Sequence, residues 1–199
     1  GVADGISNSN RPEKASKLAM QLLSQMESIS RQTIYDLQSS LSAELAEDYF
    51  GAATTFVAAE IDQITRKAKI LSVGDSRAYL IDAQGKWQQI TQDHSILSEL
   101  LTDFPNKKEE DFATIYGGVS SCLVADYSEF QDKIFYQEIE IKQGESLLLC
   151  SDGLTDGLSA EMREKIWKQY DNDKSRLTVC RKLIAKQGFY DDLSVVILK

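Results

Sequence analysis

Four acidic turns in this sequence stand at the ends of apolar stretches, and their aspartates are the side chains best suited to chemistry. Asp4 follows a short apolar segment, Asp75 and Asp152 follow longer ones, and Asp191 precedes another. A carboxylate at the end of a strand sits on a rigid element with its oxygens open to a ligand. Several converging carboxylates, in a chain with one histidine, favour hard cations such as Mg²⁺ or Mn²⁺ over zinc.

Each turn taken alone also has a purely structural explanation, because Asp-Gly is a common turn dipeptide. Asp75 could be only the ion-pair partner of Arg77, and Asp191 could lie in a solvated turn. An EF-hand that starts at Asp152 is excluded, because its twelfth position is Arg163 rather than a glutamate. The prediction of a metal site therefore depends on the four turns occurring together.

The composition excludes several other classes of protein. The 199 residues carry 22 Lys and Arg against 31 Asp and Glu, a formal net charge of −9. Nucleic acid and anionic membranes are therefore not expected partners, since phosphates recruit basic patches. Three widely spaced cysteines and a single histidine support neither a disulfide scaffold nor a Cys/His zinc site. No apolar run reaches the roughly 18 residues of a membrane span. The cysteine pattern favours a reducing, cytoplasmic compartment, and we expect a monomer.

Hydrophobic periodicity predicts helices and strands in a mixed order. Residues 11–47 read as one bent helix or two helices, with Ser9 or Asn10 at the start. Strands are predicted at residues 54–61, 67–74, 77–82, 86–90, 133–142, 146–150 and 193–198. Further helices are predicted at residues 95–101, 160–170 and 174–186. Consecutive strands with short turns favour antiparallel sheets with helices packed outside, an α+β layered domain.

Six motifs occur in a fixed order: 2–5 (VADG), 51–55 (GAATT), 73–80 (VGDSRAYL), 91–95 (TQDHS), 149–154 (LCSDGL) and 191–196 (DDLSVV). The set resembles the metal-dependent protein phosphatase family, the protein phosphatase 2C type, in its bacterial form. Each motif alone is weak, but the ordered set spans nearly the whole chain. The resemblance implies a four-layer α-β-β-α sandwich, with two central antiparallel sheets flanked by helices and a two-metal centre at one end.

The resemblance also implies a role for each matching residue. Asp4 corresponds to the carboxylate that bridges both metal ions, and the Gly5 carbonyl corresponds to a ligand of the second ion. Asp152 and Asp191 correspond to ligands of the first ion. Asp75, together with Asp152, corresponds to the pair that binds a third, weaker ion in bacterial members. The implied cofactors are therefore two Mn²⁺ or Mg²⁺ ions with a third ion beside them.

The activity implied by the resemblance is that of a metal-dependent serine/threonine phosphoprotein phosphatase. Two cations about 4 Å apart lower the pKa of a bridging water and supply hydroxide near neutral pH. The hydroxide attacks phosphorus in line, while the cations offset charge on the phosphoryl oxygens. No protein nucleophile is needed, and the chain lacks the Cys-x5-Arg loop of cysteine phosphatases. The implied partners are a phosphoserine or phosphothreonine protein and its cognate kinase.

Three departures from the family pattern keep an alternative open, a phosphatase-like module that binds a phosphoprotein or partner with little or no turnover. Residues 6–10 replace the usual Gly-Gly pair, and the flap over 104–126 departs from the usual sequence. The family's upstream strands, with an arginine and a further acidic ligand, have no counterpart. We expect residues 1–199 to form a single phosphatase-like domain that is truncated at its N-terminal edge.

Three further residues near these motifs carry weaker expectations. His94 invites a role as a general acid, but its Asp-His-Ser setting favours capping or a contact with substrate. Asp192 neighbours the Asp191 position and is the weaker ligand candidate of the two. Gly117, followed by a second glycine, suggests a hinge in the flap.

Overall fold

Helices and strands alternate along the chain in the mixed order that the periodicity predicts. The computed structural model describes residues 1–112, 118–188 and 191–199. Its helices are α1 (Pro12–Leu23), α2 (Arg31–Leu45), α3 (Ile96–Asp103), α4 (Asp152–Gly157), α5 (Ala160–Gln169) and α6 (Asp173–Ile184). Its strands are β1 (Ala53–Thr54), β2 (Phe56–Ile61), β3 (Lys67–Val73), β4 (Arg77–Ile81), β5 (Trp87–Gln89), β6 (Leu123–Val124), β7 (Phe135–Glu140), β8 (Ser146–Cys150) and β9 (Val195–Leu198).

The strands of the described residues pair in antiparallel fashion in each of their sheets. One sheet has the order β2-β3-β7, and a second has the order β5-β4-β8-β9. The short strands β1 and β6 pair with each other. The antiparallel sheets that the short turns predict are confirmed, because a short connection can only reverse the chain.

The two larger sheets lie face to face across an apolar layer. Leu147 and Leu149 of β8 point into this layer, where they pack with Ile70 of β3. The alternate residue Leu148 points to the other face and packs with Ile166 of α5. Burial on both faces explains why β8 is a continuous apolar run rather than an alternating one.

Helices cover the two outer faces and complete the layers. Phe56 and Leu71 on the outer face of the three-stranded sheet pack against Ile34 and Leu37 of α2, and α1 joins the same cluster through Ala15. On the opposite side, α4, α5 and α6 pack against the four-stranded sheet. The predicted α-β-β-α sandwich is therefore confirmed.

The start of α1 differs from the prediction. Residue Arg11 precedes the helix with a φ of 51°, and no side chain caps the first turn. Ser9 accepts a hydrogen bond from the Ala53 amide at 3.1 Å, and Asn10 donates one to the Phe50 carbonyl at 3.2 Å. The prediction of Ser9 or Asn10 as the helix cap is wrong, because both side chains bind the loop that leads into β1.

The structure also bears on the predictions for residues 11–47, for the Asp152 turn and for the flap. Residues 11–47 form two helices, and Ser30 precedes the second of them. Asp152, expected in a turn, is the first residue of α4. Within the flap, a short 3-10 turn lies at Glu109–Asp111. Gly117, the expected hinge, lies outside the described residues.

The helices of the described residues include none that is both long and apolar enough to cross a membrane.

The packing of β8 generates a prediction about stability. Leu148→Ala leaves a cavity between the four-stranded sheet and α5, so we expect the free energy of unfolding to fall by about 3 kcal/mol. Ile64→Ala is the control, because Ile64 is 94% exposed in a turn and its truncation removes little packing. Urea unfolding followed by circular dichroism measures both, and an equal loss in the two variants would contradict this core assignment.

Candidate active site

The Asp4 turn is fixed by its backbone to the beginning of the three-stranded sheet. Val2 exchanges two backbone hydrogen bonds of 2.8 Å with Val57. The carbonyl of Asp4 accepts hydrogen bonds of 2.8 Å from the Thr55 amide and from the Thr54 hydroxyl. These contacts leave the Asp4 side chain free, since only its main chain is used in the pairing.

Gly5 passes so close to α1 that no side chain fits there. A Cβ at this position would lie 2.6 Å from the Cβ of Pro12 and 2.9 Å from the Pro12 carbonyl oxygen. Packing against α1 thus requires a glycine at position 5, in addition to any need of the turn itself.

The turn between β3 and β4 carries Asp75 to the same end of the sandwich. Gly74 has a φ of 97°, and a Cβ there would lie 2.7 Å from the Cβ of Thr55. Ser76, on the other side of Asp75, lies 2.7 Å from the Thr55 hydroxyl, oxygen to oxygen. Asp75 is consequently held between two residues that both contact Thr55.

The turn after β8 is fastened to the segment before β9. The Ser151 hydroxyl donates to the Asp192 carbonyl at 3.0 Å and accepts from the Ser194 amide at 3.1 Å. Gly153 lies against the Asp192 carbonyl, in contact too close for any Cβ. Asp152 and the 191–192 backbone are therefore neighbours.

The four aspartates predicted from the sequence all lie at one end of the sandwich. The antiparallel register explains this, because Phe56 pairs with Val73 and Arg77 pairs with Cys150. The amino ends of β2, β4 and β9 thus meet the carboxyl ends of β3 and β8. Each acidic turn immediately follows or precedes one of these ends.

The aspartates are close enough to change each other's ionisation. Burial and the charges of Asp152 and Asp191 raise the pKa of Asp4 to about 7, and its carboxyl also hydrogen bonds to that of Asp152. Burial and the charge of Asp152 likewise raise the pKa of Asp75 to about 7. Burial first, then the charges of Asp156 and Asp191, raise the pKa of Asp152. Like charges held together in a poorly solvated place favour the protonated form.

Arg77 does not neutralise Asp75 by direct pairing. Its guanidinium binds both carboxylate oxygens of Asp93, with the shortest contact at 2.5 Å, and its Nη1 donates to the Thr155 hydroxyl at 2.6 Å. The structural explanation that made Asp75 the partner of Arg77 is therefore wrong. None of the ion pairs among the described residues includes Asp4, Asp75, Asp152 or Asp191.

A pocket of about 440 Å³ opens beside the aspartates. Asp75, Asp152 and Asp156 form one side of it, and Leu97 and Leu101 of α3 form another. A larger pocket of about 550 Å³ lies at the opposite end of the strands and is lined by none of the four aspartates. The smaller pocket is the one connected to the candidate chemistry.

Asp156 is a pocket residue that the sequence analysis missed. Burial raises its pKa, while the nearby charge of Arg77 opposes the rise. The missed signal is the helical spacing of Asp152 and Asp156, four residues apart, which places both on one face of α4.

His94 has a structural partner. Its Nδ1 accepts a hydrogen bond from the Gly74 amide at 3.1 Å, and its own amide donates to the Gly74 carbonyl at 2.9 Å. Burial lowers its pKa. The helix cap itself is Ser95, whose hydroxyl accepts from the Ser98 amide at 3.1 Å. His94 thus holds the Gly74 turn, and Nδ1 has no proton to donate.

The cysteines have no nucleophilic character. All three are free thiols, and burial raises the pKa of Cys122 and Cys180 to about 11 and that of Cys150 to about 12. A thiol with such a pKa is protonated at neutral pH, and the thiolate is the reactive form.

The donor chemistry of this end fits a hard divalent cation. The available ligands are carboxylate and carbonyl oxygens, which Mg²⁺ and Mn²⁺ prefer. In the described parts of the chain, no three His, Cys, Asp or Glu side chains are already arranged around one point. Asp4, Asp152 and Asp191 nevertheless lie close enough for their charges to add to the effect of burial and raise the pKa of Asp4. A bound divalent cation would relieve this repulsion.

Comparison with known proteins agrees with this architecture. The sequence profile of the family described as protein phosphatase 2C matches residues 2–179. Serine/threonine phosphatase stp of Listeria monocytogenes is 30% identical over 213 residues, which covers 100% of this chain and 82% of the relative. Protein phosphatase PhpP of Streptococcus pneumoniae is 33% identical over 119 residues, covering 59% of this chain and 46% of the relative.

Solved structures show the same fold. A bacterial serine phosphatase matches with a TM-score of 0.82 at 25% identity, covering 98% of this chain and 83% of that one. The serine/threonine phosphatase PstP/Ppp of Mycobacterium tuberculosis matches with a TM-score of 0.80 at 23% identity, covering 98% and 85%.

The layered sandwich of antiparallel sheets and outer helices is the fold of the protein phosphatase 2C class. The chain belongs to the protein phosphatase 2C family, and it is a protein serine/threonine phosphatase.

The raised pKa of Asp4 generates a prediction about pH. In the folded chain this carboxyl titrates at about 7, whereas the unfolded value is about 3.9, so the folded state binds the extra proton between these values. The stability that this proton provides is present at low pH and is lost as pH rises through about 7. In EDTA, Asp4→Asn should therefore raise Tm at pH 8 and flatten the decline between pH 5 and pH 8.

Thermal unfolding at four pH values between 5 and 8 measures the effect. Asp48→Asn is the matched control, because Asp48 is exposed after α2 and its replacement changes net charge equally. A lower Tm for Asp4→Asn than for the control at pH 8 would show that repulsion at Asp4 is not the cause.

Proposed function

We propose that the chain hydrolyses phosphoserine and phosphothreonine in proteins by means of two Mn²⁺ or Mg²⁺ ions held at the acidic end. The observation that carries the proposal is the proximity of Asp4 and Asp152 at one end of the sandwich, where burial and the charge of Asp152 raise the pKa of Asp4 to about 7. One carboxyl belongs to the segment beside the three-stranded sheet and the other follows the four-stranded sheet. The charge of Asp191 raises the pKa of Asp4 further. This is an arrangement that a divalent cation neutralises.

We propose Asp4, the Gly5 carbonyl, Asp152 and Asp191 as the residues that hold the two ions. Asp75 with Asp152 is proposed to hold a third, weaker ion. In support, the catalytic domain of PstP has been solved in complex with two manganese ions, and it matches this chain with a TM-score of 0.75 at 23% identity, covering 98% of this chain and 84% of that one. When bound, the ions activate water and offset charge on the phosphoryl group.

The chain's own residues hold and orient this centre. Thr54 and Thr55 fix the Asp4 backbone, and Ser151 fixes the 191–194 segment next to Asp152. The charge of Arg77 opposes the rise that burial and neighbouring carboxylates cause in the pKa of Asp75 and of Asp152. The high pKa of the thiols and the backbone contact of His94 leave water as the nucleophile of this proposal.

The substrate is proposed to be a phosphoprotein made by a serine/threonine kinase. Its phosphorylated residue would enter beside the pocket of about 440 Å³, whose wall combines carboxylates with Leu97 and Leu101. We propose further that residues 1–199 act as one phosphatase-like domain, because both outer helix layers cover sheets that share a single apolar layer.

Loss of a metal ligand should abolish the reaction and spare the fold. We expect hydrolysis of p-nitrophenyl phosphate and of a phosphothreonine peptide to require added Mn²⁺ and to stop in EDTA. Asp152→Asn should lower kcat/KM by more than about 100-fold, since loss of a residue that only supports metal ligands already costs about 10–100-fold.

Asp48→Asn serves as the control and should keep the rate of the unaltered protein. Folding of each variant is checked by circular dichroism. Absence of metal-stimulated hydrolysis in the unaltered chain, or full activity of Asp152→Asn, would refute the proposed function.

A further inference from the structure

The proposed metal ligands are divided between the two halves of the sandwich. Asp4 is bonded to the residues that lead into β2, whereas Asp152 follows β8 in the opposite sheet. Their separation therefore depends on how far apart the two sheets lie at this end. Any change in that spacing moves one carboxylate relative to the other.

Most contacts between the sheets are apolar and do not fix such a distance sharply. Val57 and Ile70 of one sheet pack with Leu147 and Leu149 of the other. Such contacts are non-directional and allow small sliding movements. A hydrogen bond, by contrast, has a narrow range of length and angle.

One hydrogen bond between side chains joins the sheets beside the aspartates. Thr55 lies just before β2 and Ser76 just before β4, and their hydroxyl oxygens are 2.7 Å apart. Thr55 is 4% exposed and Ser76 is 1% exposed, so water does not compete for the bond. Each hydroxyl adjoins an aspartate turn, because the Thr55 amide binds the Asp4 carbonyl and Ser76 follows Asp75.

We propose that Thr55 and Ser76 form a latch that sets the spacing of Asp4 from Asp152 and Asp75, which makes them positioning residues of the metal centre. This inference rests on the proposed function. The hydroxyl of Thr55 carries the bond to Ser76, and its methyl group fills the space above Gly74. A Cβ on Gly74 would lie 2.8 Å from that methyl carbon. Both parts of the threonine side chain are therefore used. The turn between β3 and β4 links the sheets through the main chain, and the hydroxyl bond adds a side-chain link beside it. The Thr55 hydroxyl also lies 3.4 Å from the Asp4 carbonyl oxygen.

The chain supplies a matched control for the loss of a buried hydroxyl. Ser72, in β3, is 0% exposed, and its hydroxyl has no hydrogen-bond partner among the described residues. Ser72→Ala thus removes the same atom from the same sheet without breaking the latch.

The experiment compares Thr55→Val, Thr55→Ser, Ser76→Ala, the double variant Thr55→Val/Ser76→Ala and Ser72→Ala. Mn²⁺ affinity is measured by calorimetry, kcat and KM with p-nitrophenyl phosphate, and stability by urea unfolding. We expect Thr55→Val and Ser76→Ala each to weaken Mn²⁺ binding by about 10–100-fold, as is usual for groups that support metal ligands. Thr55→Ser keeps the hydroxyl and should restore most of that affinity.

The double variant tests whether the two hydroxyls act as one unit. Because they share a single bond, its Mn²⁺ affinity should be no lower than that of the weaker single variant. Ser72→Ala should bind Mn²⁺ like the unaltered chain. A merely structural role would lower stability in the latch variants without this selective loss of metal affinity or its recovery in Thr55→Ser.

Three results would overturn the latch. They are unaltered Mn²⁺ affinity in folded Thr55→Val, losses that multiply in the double variant, and an equal loss in Ser72→Ala. If the unaltered chain itself neither binds Mn²⁺ nor hydrolyses phosphate, the proposed function fails. The latch is then judged by the coupling between Thr55→Val and Ser76→Ala in urea unfolding, and additive losses of stability refute it. Should Thr55→Val not fold, Ser76→Ala and Thr55→Ser provide the same comparison.

Discussion

Mutual repulsion among buried aspartates is the constraint on which the rest of this structure depends. Asp4, Asp75 and Asp152 are each partly buried. Burial and the charge of a neighbouring aspartate raise the pKa of each of them. Repulsion between these like charges favours protonation and pushes the acidic turns apart. The hydrogen bonds of Thr54, Thr55 and Ser151 to main-chain atoms oppose that separation because they hold the backbone rather than the carboxylates.

Burial in the apolar layers stabilises the fold and offsets the repulsion among these aspartates. Helices pack on both outer faces, and the layer between the sheets buries strand residues such as Ile70 and Leu149. Packing on both faces keeps each strand in its layer, and hydrogen bonds at the turns fix the finer spacing of the strand ends. Rigid elements with functional groups at their ends are the general solution for sites that need fixed spacing.

Membership of the protein phosphatase 2C family argues against a non-enzymatic binding module. One ground for that alternative is the sequence of residues 6–10, where the family usually has a Gly-Gly pair. Serine/threonine phosphatase stp of Listeria monocytogenes matches the whole chain, and the acidic turns lie at one end of the sandwich. The cognate kinase, the monomeric state and the cytoplasmic location stay predictions.

The sequence by itself determined the layered fold, because apolar periodicity and short turns are local signals. The ordered set of motifs determined the class of protein and singled out the four aspartates. Only the tertiary structure decided which groups touch. Arg77 pairs with Asp93 rather than Asp75, and His94 binds the Gly74 backbone. The Ser9 side chain hydrogen bonds to Ala53 of β1 instead of capping α1. Asp156 and the Thr55–Ser76 bond also became visible only there. These contacts join residues far apart in the chain, and their partners are chosen by the register and spacing of the two sheets, which no local pattern encodes.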